Sequence, residues 1–225
     1  MRKNINIQTN TDLVDYLIRK RVLQSPALIN AIQKIDRKDF VIDSEKINAY
    51  QDYSLPIGCG QTISQPRTVA FMLELLDPQK GEKILDLGSG CGRTTALLAK
   101  VAGRKGEVYG VEIIPELVKF GQKNLAKYNL PQAQIVEAGK EYGLPAKAPF
   151  DKILVSAASD EIPEGLIQQL TTGGKMVIPM QNRIVCLEKI SDFEFQTKEF
   201  EGDFFVPLVN PKDKNKKTRY NLCEL

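Results

Sequence analysis

Histidine is missing from this chain altogether. That absence excludes Ser-His-Asp and Cys-His nucleophile systems, H-E-x-x-H zinc sites and any imidazole acid or base. Cysteine is sparse: Cys59, Cys91, Cys186 and Cys223 lie far apart with no C-x-x-C pair. Such spacing indicates neither a zinc cage nor a disulfide framework, so no metal is expected and the thiols are read as free in a reducing compartment. No apolar run reaches the length of a bilayer span, and MRKNINIQTN has no apolar signal core. A cytoplasmic setting without a membrane partner is therefore the default. A charge bias is lacking too. With 31 basic and 28 acidic residues the net charge is +3, too small to argue for nucleic acid as a partner.

What is present is enough for one domain with a real core: 225 residues, 42% hydrophobic and 26% charged. TDLVDYLIRKRVL and SPALINAIQKI carry apolar residues at helical spacing, the second with Ser25 as its cap and Pro26 in its first turn. RTVAFMLELL, after Pro66, predicts a third helix stopped at Asp77-Pro78. From residue 81 short apolar strands (EKILDLG, EVYGVEI, AQIVEA, FDKILVSAA, GKMVIPM) alternate with helices (from Thr94, PELVKFGQKNLAKYN, PEGLIQQL). This order implies an α/β, doubly wound, mostly parallel sheet with helices on both faces. From Arg183, RIVCLEKI and FEFQTKEFEGDFFVPLV read as successive strands with an antiparallel edge pair. The chain divides into a helical extension with a loop (1–65), a core (66–210) and a basic tail (211–225), read as a solvated end.

ILDLGSGCGRTTALLA gives the order strand, glycine loop, helix. Gly88, Gly90 and Gly92, with Ser89 and Cys91 between them, allow a ligand to approach the backbone. A dinucleotide fingerprint needs its third glycine at 93, which is Arg93, and no Walker lysine follows, so neither NAD, FAD nor a triphosphate fits. Asp86 ends the first strand, where a carboxylate favours an ammonium group. Glu112 ends the second strand, 24 residues after Gly88, where it can accept from both ribose hydroxyls. An amino group and a ribose without phosphate describe S-adenosyl-L-methionine, although such glycines can also serve a strand-to-helix turn alone.

The segments YQDYSLPIGCGQTISQPRTVAFMLELL, LDLGSGCG, APFDKILVSAASDEIPEGLIQQLTTGGKMVIP and FFVPL together resemble the protein-L-isoaspartate O-methyltransferase family, from about residue 12 to 209. GQTISQP is the most specific of them, because it lies outside the generic methyltransferase core. The resemblance implies a class I, Rossmann-like S-adenosylmethionine-dependent methyltransferase with a seven-stranded sheet, acting on isoaspartyl proteins and peptides; a monomer is the default expectation. Such enzymes methylate the free carboxyl of L-isoaspartyl residues, and the ester collapses to a succinimide whose hydrolysis returns some normal aspartate. It further implies Ser64 as the catalytic position, Thr62, Ile63 and Ser64 on the substrate, and Gln61 and Thr62 on the cofactor. Asp86, Gly88, Ser89, Gly90, Cys91, Gly92, Glu112 and Ile113 fall on the family's cofactor motifs, with Gly139 and Lys140 at the adenine position.

The chemistry suits a chain without histidine. A carboxylate is already ionised at neutral pH and needs no general base, so positioning carries the reaction. Ser64 and the free amides of the helix near Pro66 are expected to cradle it. In the bland reading Ser64 is only a helix-start residue, Thr62 satisfies turn backbone, and Cys59 and Cys91 fill space. The chain departs from the family twice. AGK replaces Gly-Asp-Gly after the third strand, putting Gly139 where the adenine-contacting acid belongs, with Glu141 nearby. Arg93 replaces a common tyrosine. Two alternatives follow: an RNA methyltransferase of the tRNA adenine type, or a relative that binds the cofactor without catalysis.

Overall fold

The structure, a computed structural model, describes residues 7–202 and 205–213. Most of the basic tail, from residue 214, lies outside them. Helix α1 (Asn10–Arg19) starts where Thr9 and Asp12 cap each other: the Thr9 hydroxyl accepts from Asp12 N at 3.1 Å, and Asp12 accepts from Thr9 N at 2.9 Å. Helix α2 (Pro26–Lys34) has Ser25 at its cap position, but the serine side chain makes no cap bond. Glu74 instead accepts from the amides of Gln24 and Ser25, at 2.7 and 2.8 Å, and ties this turn to helix α3 (Pro66–Leu76). Asp77 ends α3 in a left-handed conformation.

Between α2 and α3 the chain forms an antiparallel hairpin of β1 (Leu55–Gly58) and β2 (Gln61–Ile63), two strands not foreseen from the sequence. The alternating part follows as β3 (Lys83–Leu87), α4 (Arg93–Ala102), β4 (Glu107–Glu112), α5 (Pro115–Leu125), β5 (Ala133–Glu137), β6 (Phe150–Val155), α6 (Glu164–Gln168) and β7 (Leu170–Met180). Strands β8 (Arg183–Lys189) and β9 (Phe195–Glu201) complete a seven-stranded sheet in the order β5-β4-β3-β6-β7-β8-β9. Pairing is parallel from β5 to β7 and antiparallel across β7-β8 and β8-β9. The strand expected to continue through FFVPLV stops at Glu201. Ala158 N donates to Val206 O at 2.8 Å and Ala158 O accepts from Leu208 N at 2.6 Å, so the segment folds back over the end of β6.

Adjacent residues of each inner strand feed opposite cores, as the two-residue period of a strand requires. Ile84, Val108, Leu154 and Val177 pack under α1 to α5. Leu85, Tyr109, Ile153 and Met176 face the other way, where the five-residue α6 and the segment around Tyr142 and Leu144 cover them. One face is thus thickly layered and the other thinly. The chain runs from β3 outward to β4 on one side and to β6 on the other, which opens a crevice at the carboxyl ends of these strands.

Candidate functional site

The glycine loop sits at the carboxyl end of β3, beside β4. Gly88 N and Ser89 N both donate to Val111 O, and Gly92 N donates back to Ser89 O at 2.8 Å. The loop is seated against α5: a Cβ on Gly92, whose φ is +84°, would lie 2.8 Å from the Ile135 side chain and 3.0 Å from Gly121 O. Only glycine fits there.

Two acids hold this loop. Glu112, nearly buried, accepts from Gly90 N at 2.9 Å, Ile113 N at 2.7 Å and Ile114 N at 3.0 Å. Burial raises its pKa, and the three amides partly offset the rise. Asp86 is fully buried and accepts from the hydroxyls of Thr94 at 2.7 Å and Thr95 at 2.6 Å, so it anchors the first turn of α4. Loss of water pushes its pKa up to about 6, against the pull of those hydroxyls.

A buried cation holds the hairpin. The Arg37 guanidinium donates to the carbonyls of Ala49 (2.7 Å), Gln51 (3.1 Å), Tyr53 (3.0 Å) and Ser64 (3.2 Å). The residue at the cap position of α3 is Gln65 rather than Ser64. The free amides expected around Pro66 are corrected by the structure: proline has no N–H, and Arg67 N donates to Asp52 Oδ1 at 2.9 Å. Cys59, at the hairpin turn, is disulfide-bonded, which overturns the expectation of a free thiol there; Cys91 and Cys186 are free. Sequence spacing is silent about thiols that only the fold brings together.

Three cavities meet at Thr62 and Ser156. The first, about 350 Å³, is bounded by Gly88, Gly90, Glu112, Ile113, Ala138, Glu141 and Tyr142, with Gln61 on the hairpin side. Its volume suits a small-molecule ligand. The second, about 40 Å³, lies between Ile63 and Ser64 of the hairpin and Ser89, Cys91, Arg93 and Thr94 of the glycine loop and α4. The third, about 240 Å³, reaches from Ser64 past Gln65 and Thr68 to Tyr53 and Phe205.

Several expected residues do not border these cavities. Asp86 is buried behind the loop and Gly92 is pressed against α5. Gly139 faces open space, and Lys140 lines a different surface depression with Pro145 and Gln168. Glu141 and Tyr142 form the adjoining wall of the large cavity instead. The residues that sequence reasoning missed are Ser156, common to all three cavities, and the segment Val206–Leu208 closing the large one. Ser156 directly follows β6, which lies beside β3, a position that the topological switch point could have singled out.

The large cavity is chemically matched to S-adenosylmethionine: an acid at the end of β4, glycines that admit a ligand to the backbone, and an apolar wall. Comparisons with known proteins agree. Residues 8–213 match the family described as protein-L-isoaspartate(D-aspartate) O-methyltransferase. A protein-L-isoaspartate O-methyltransferase of Staphylothermus marinus is 39% identical over 207 residues, covering 88% of this chain and 92% of that protein. One of Methanopyrus kandleri is 40% identical over 202 residues, covering 88% and 89%. A solved protein-L-isoaspartate O-methyltransferase superposes with a TM-score of 0.82 at 25% identity, covering 91% of this chain and 67% of that one. The fold also matches a putative protein-L-isoaspartate O-methyltransferase from Plasmodium falciparum, solved with S-adenosyl-L-homocysteine (TM-score 0.80, 23% identity, 90% and 99% covered). On a match that spans the hairpin, the glycine loop and the returning C-terminal segment alike, the chain belongs to the protein-L-isoaspartate(D-aspartate) O-methyltransferase family.

Proposed function

We propose that the two glycine-rich loops divide one methyl transfer between them, the hairpin orienting the acceptor and the glycine loop seating the donor. The activity is S-adenosylmethionine-dependent methylation of the free carboxyl of L-isoaspartyl residues in damaged proteins. The observation that carries the division of labour is the meeting of the three cavities at Thr62 and Ser156. S-adenosylmethionine supplies an electrophilic methyl group. Glu112 accepts hydrogen bonds from its ribose, Gln61 and Thr62 border it, and Gly88, Gly90 and Ile113 shape its bed.

The acceptor carboxylate enters from the outer cavity past Tyr53 and Phe205. Thr62, Ile63 and Ser64 orient it, with the Ser64 hydroxyl donating to one carboxylate oxygen so that the other is free to attack. Because the nucleophile is ionised already, no proton has to move, and orientation alone supplies effective molarities on the order of 10⁵ M or more. Asp86 and Gly92 act behind the cavity wall by fixing the loop. Glu141 and Tyr142 take over the adenine side that the family's acid leaves vacant at Gly139.

The reading includes a monomer working in the cytoplasm, with isoaspartyl proteins and peptides as partners and neither nucleic acid nor membrane. Among the described residues no helix is long and apolar enough to cross a membrane. The match over residues 8–213 disfavours the tRNA adenine reading and that of a non-catalytic relative. Radiolabelled S-adenosylmethionine with paired peptides, one carrying isoaspartate and one aspartate at the same position, provides the test. Labelling confined to the isoaspartyl peptide is expected; equal labelling of both, or none, rejects the assignment.

A further inference from the structure

The fold buries Arg93 completely at the first position of α4. A buried guanidinium ordinarily has its donors satisfied or an anion beside it, because an uncompensated charge in a protein interior is costly. Among the described residues Nε and Nη2 of Arg93 meet no acceptor. Charges act on it in both senses: Asp36 favours the cation, whereas Arg37, also buried and bonded to Ser64 O, and Arg93 repel each other. Arg37 at least donates to four carbonyls. Burial draws the pKa of Arg93 down to about 10, so it is still cationic at neutral pH.

The small cavity adjoins this cation. Besides Arg93 it is lined by Ser64 and by Ser89, whose buried hydroxyl also meets no partner among the described residues. The first amides of α4, a ten-residue helix, have no partner within the helix and add their positive end. At about 40 Å³ the cavity has room for a small polar group rather than a whole ligand. Three features thus converge on negative charge: a buried guanidinium with two nitrogens that meet no acceptor among the described residues, a buried hydroxyl without a partner among them, and a helix N-terminus.

We propose that the cavity between Ser64, Ser89 and Arg93 is a carboxylate subsite, completed by Arg93 as its buried counter-cation. The inference rests on the methyltransferase reading and adds to it a residue to which that reading gives no role. Two carboxylates reach this place chemically, that of the isoaspartyl acceptor and that of the cofactor's amino-acid end. Either would bring a negative charge to Arg93 and so offset part of the cost of burying it. In this role Arg93 positions the carboxylate through charge, while Ser64 and Ser89 supply directed hydrogen bonds.

Arg93→Met and Arg93→Lys separate the cases. Calorimetry measures the affinity of each variant for S-adenosylhomocysteine and for methylthioadenosine, which lacks the amino-acid carboxylate. Steady-state kinetics gives KM and kcat for an isoaspartyl peptide, and thermal unfolding reports stability. Arg93→Met is expected to unfold no earlier than the parent, because an unpaired buried charge has been removed. It should lose a carboxylate ligand by roughly ten- to hundredfold, with Arg93→Lys restoring part of the loss. Weaker S-adenosylhomocysteine binding with methylthioadenosine unchanged assigns the subsite to the cofactor. A raised peptide KM with kcat and S-adenosylhomocysteine affinity unchanged assigns it to the acceptor. All constants within about twofold of the parent overturn the proposal, as does equal weakening of both nucleosides, which reports damage to the pocket at large. If Arg93→Met does not fold, the proposal falls unless Arg93→Lys shows one of the two selective losses. The nucleoside arm needs no methyl transfer, so rejection of the isoaspartyl activity on the unaltered protein is read separately.

Discussion

The hairpin at residues 55–63 and the glycine loop at 88–92 are both bent by residues with positive φ, yet they are built on opposite principles. At the hairpin tip Gly58, Cys59 and Gly60 are all left-handed, and a Cβ on Gly60 would meet nothing within 4 Å. The bend there serves the turn, and space is left over. In the glycine loop the same conformation comes with crowding, since Gly92 is closed in by Ile135 and Gly121. The anchoring charges are opposite as well: Arg37 grips carbonyls under the hairpin, whereas Glu112 and Asp86 grip amides and hydroxyls under the loop. A loop that presents backbone to a ligand must be rigid from behind, whereas the hairpin that presents hydroxyls is held at its ends by Arg37 and at its tip by the Cys59 disulfide.

The contrast breaks most visibly at Gly92. Gly92→Ala combines overpacking against Ile135 with left-handed strain and should cost about 3–4 kcal/mol, lowering the melting temperature by roughly 10 °C. An unchanged melting temperature would mean that the loop is not seated as described. Next in size is the acid beneath it. With its folded pKa about 6 against an ordinary 3.8, Asp86 holds a proton in the folded state that the unfolded chain has released. Its effect is to reduce stability as pH rises from about 4 to about 6, by up to about 3 kcal/mol. Asp86→Asn should therefore stabilise the protein at pH 7 and do little at pH 4, which urea titrations at the two values compare.

On the hairpin side the effects are expected to be smaller and to fall on turnover. Ser64→Ala removes one hydrogen bond to the acceptor and should lower kcat/KM by roughly tenfold in steady-state kinetics with an isoaspartyl peptide. An unaltered rate would leave the hydroxyl without a role in orientation. Smallest of all, Gly60→Ala meets no neighbour and bears only the conformational strain, about 1 kcal/mol, visible as a shift of a few degrees in thermal unfolding. A loss as large as that of Gly92→Ala would erase the distinction between an open turn and a crowded one.

Much of this was legible in the residues. The alternation from residue 81 marked every strand of the parallel part, because each is a short apolar run bounded by turn residues, and it placed Glu112 at the end of its strand. Boundaries were less secure: α6 is only Glu164–Gln168, and β7 begins at Leu170 rather than with GKMVIPM. The β1-β2 hairpin escaped notice because its strands are too short for a two-residue period to declare itself. Ser156 carried no local signal, being one small residue after an apolar strand. Its place at the junction of the cavities comes from β6 lying beside β3, a pairing across about seventy residues of chain.

The sequence by itself determined the kind of chemistry: no histidine, hence a reaction that needs no imidazole; a glycine loop with acids in register, hence a donor with a ribose and no phosphate; and GQTISQP, whose resemblance to the family implies a carboxylate to receive the methyl group. Tertiary structure decided which donors are left for that carboxylate. Asp52 occupies the amide of Arg67 in the first turn of α3, while Arg93 and Thr94 of the first turn of α4 line the small cavity. Arg37 and Arg93, far apart in the chain, are buried together behind Ser64. Local spacing sets the path of a backbone, but whether a donor is satisfied, and whether a charge is paired, depends on what the fold brings against it.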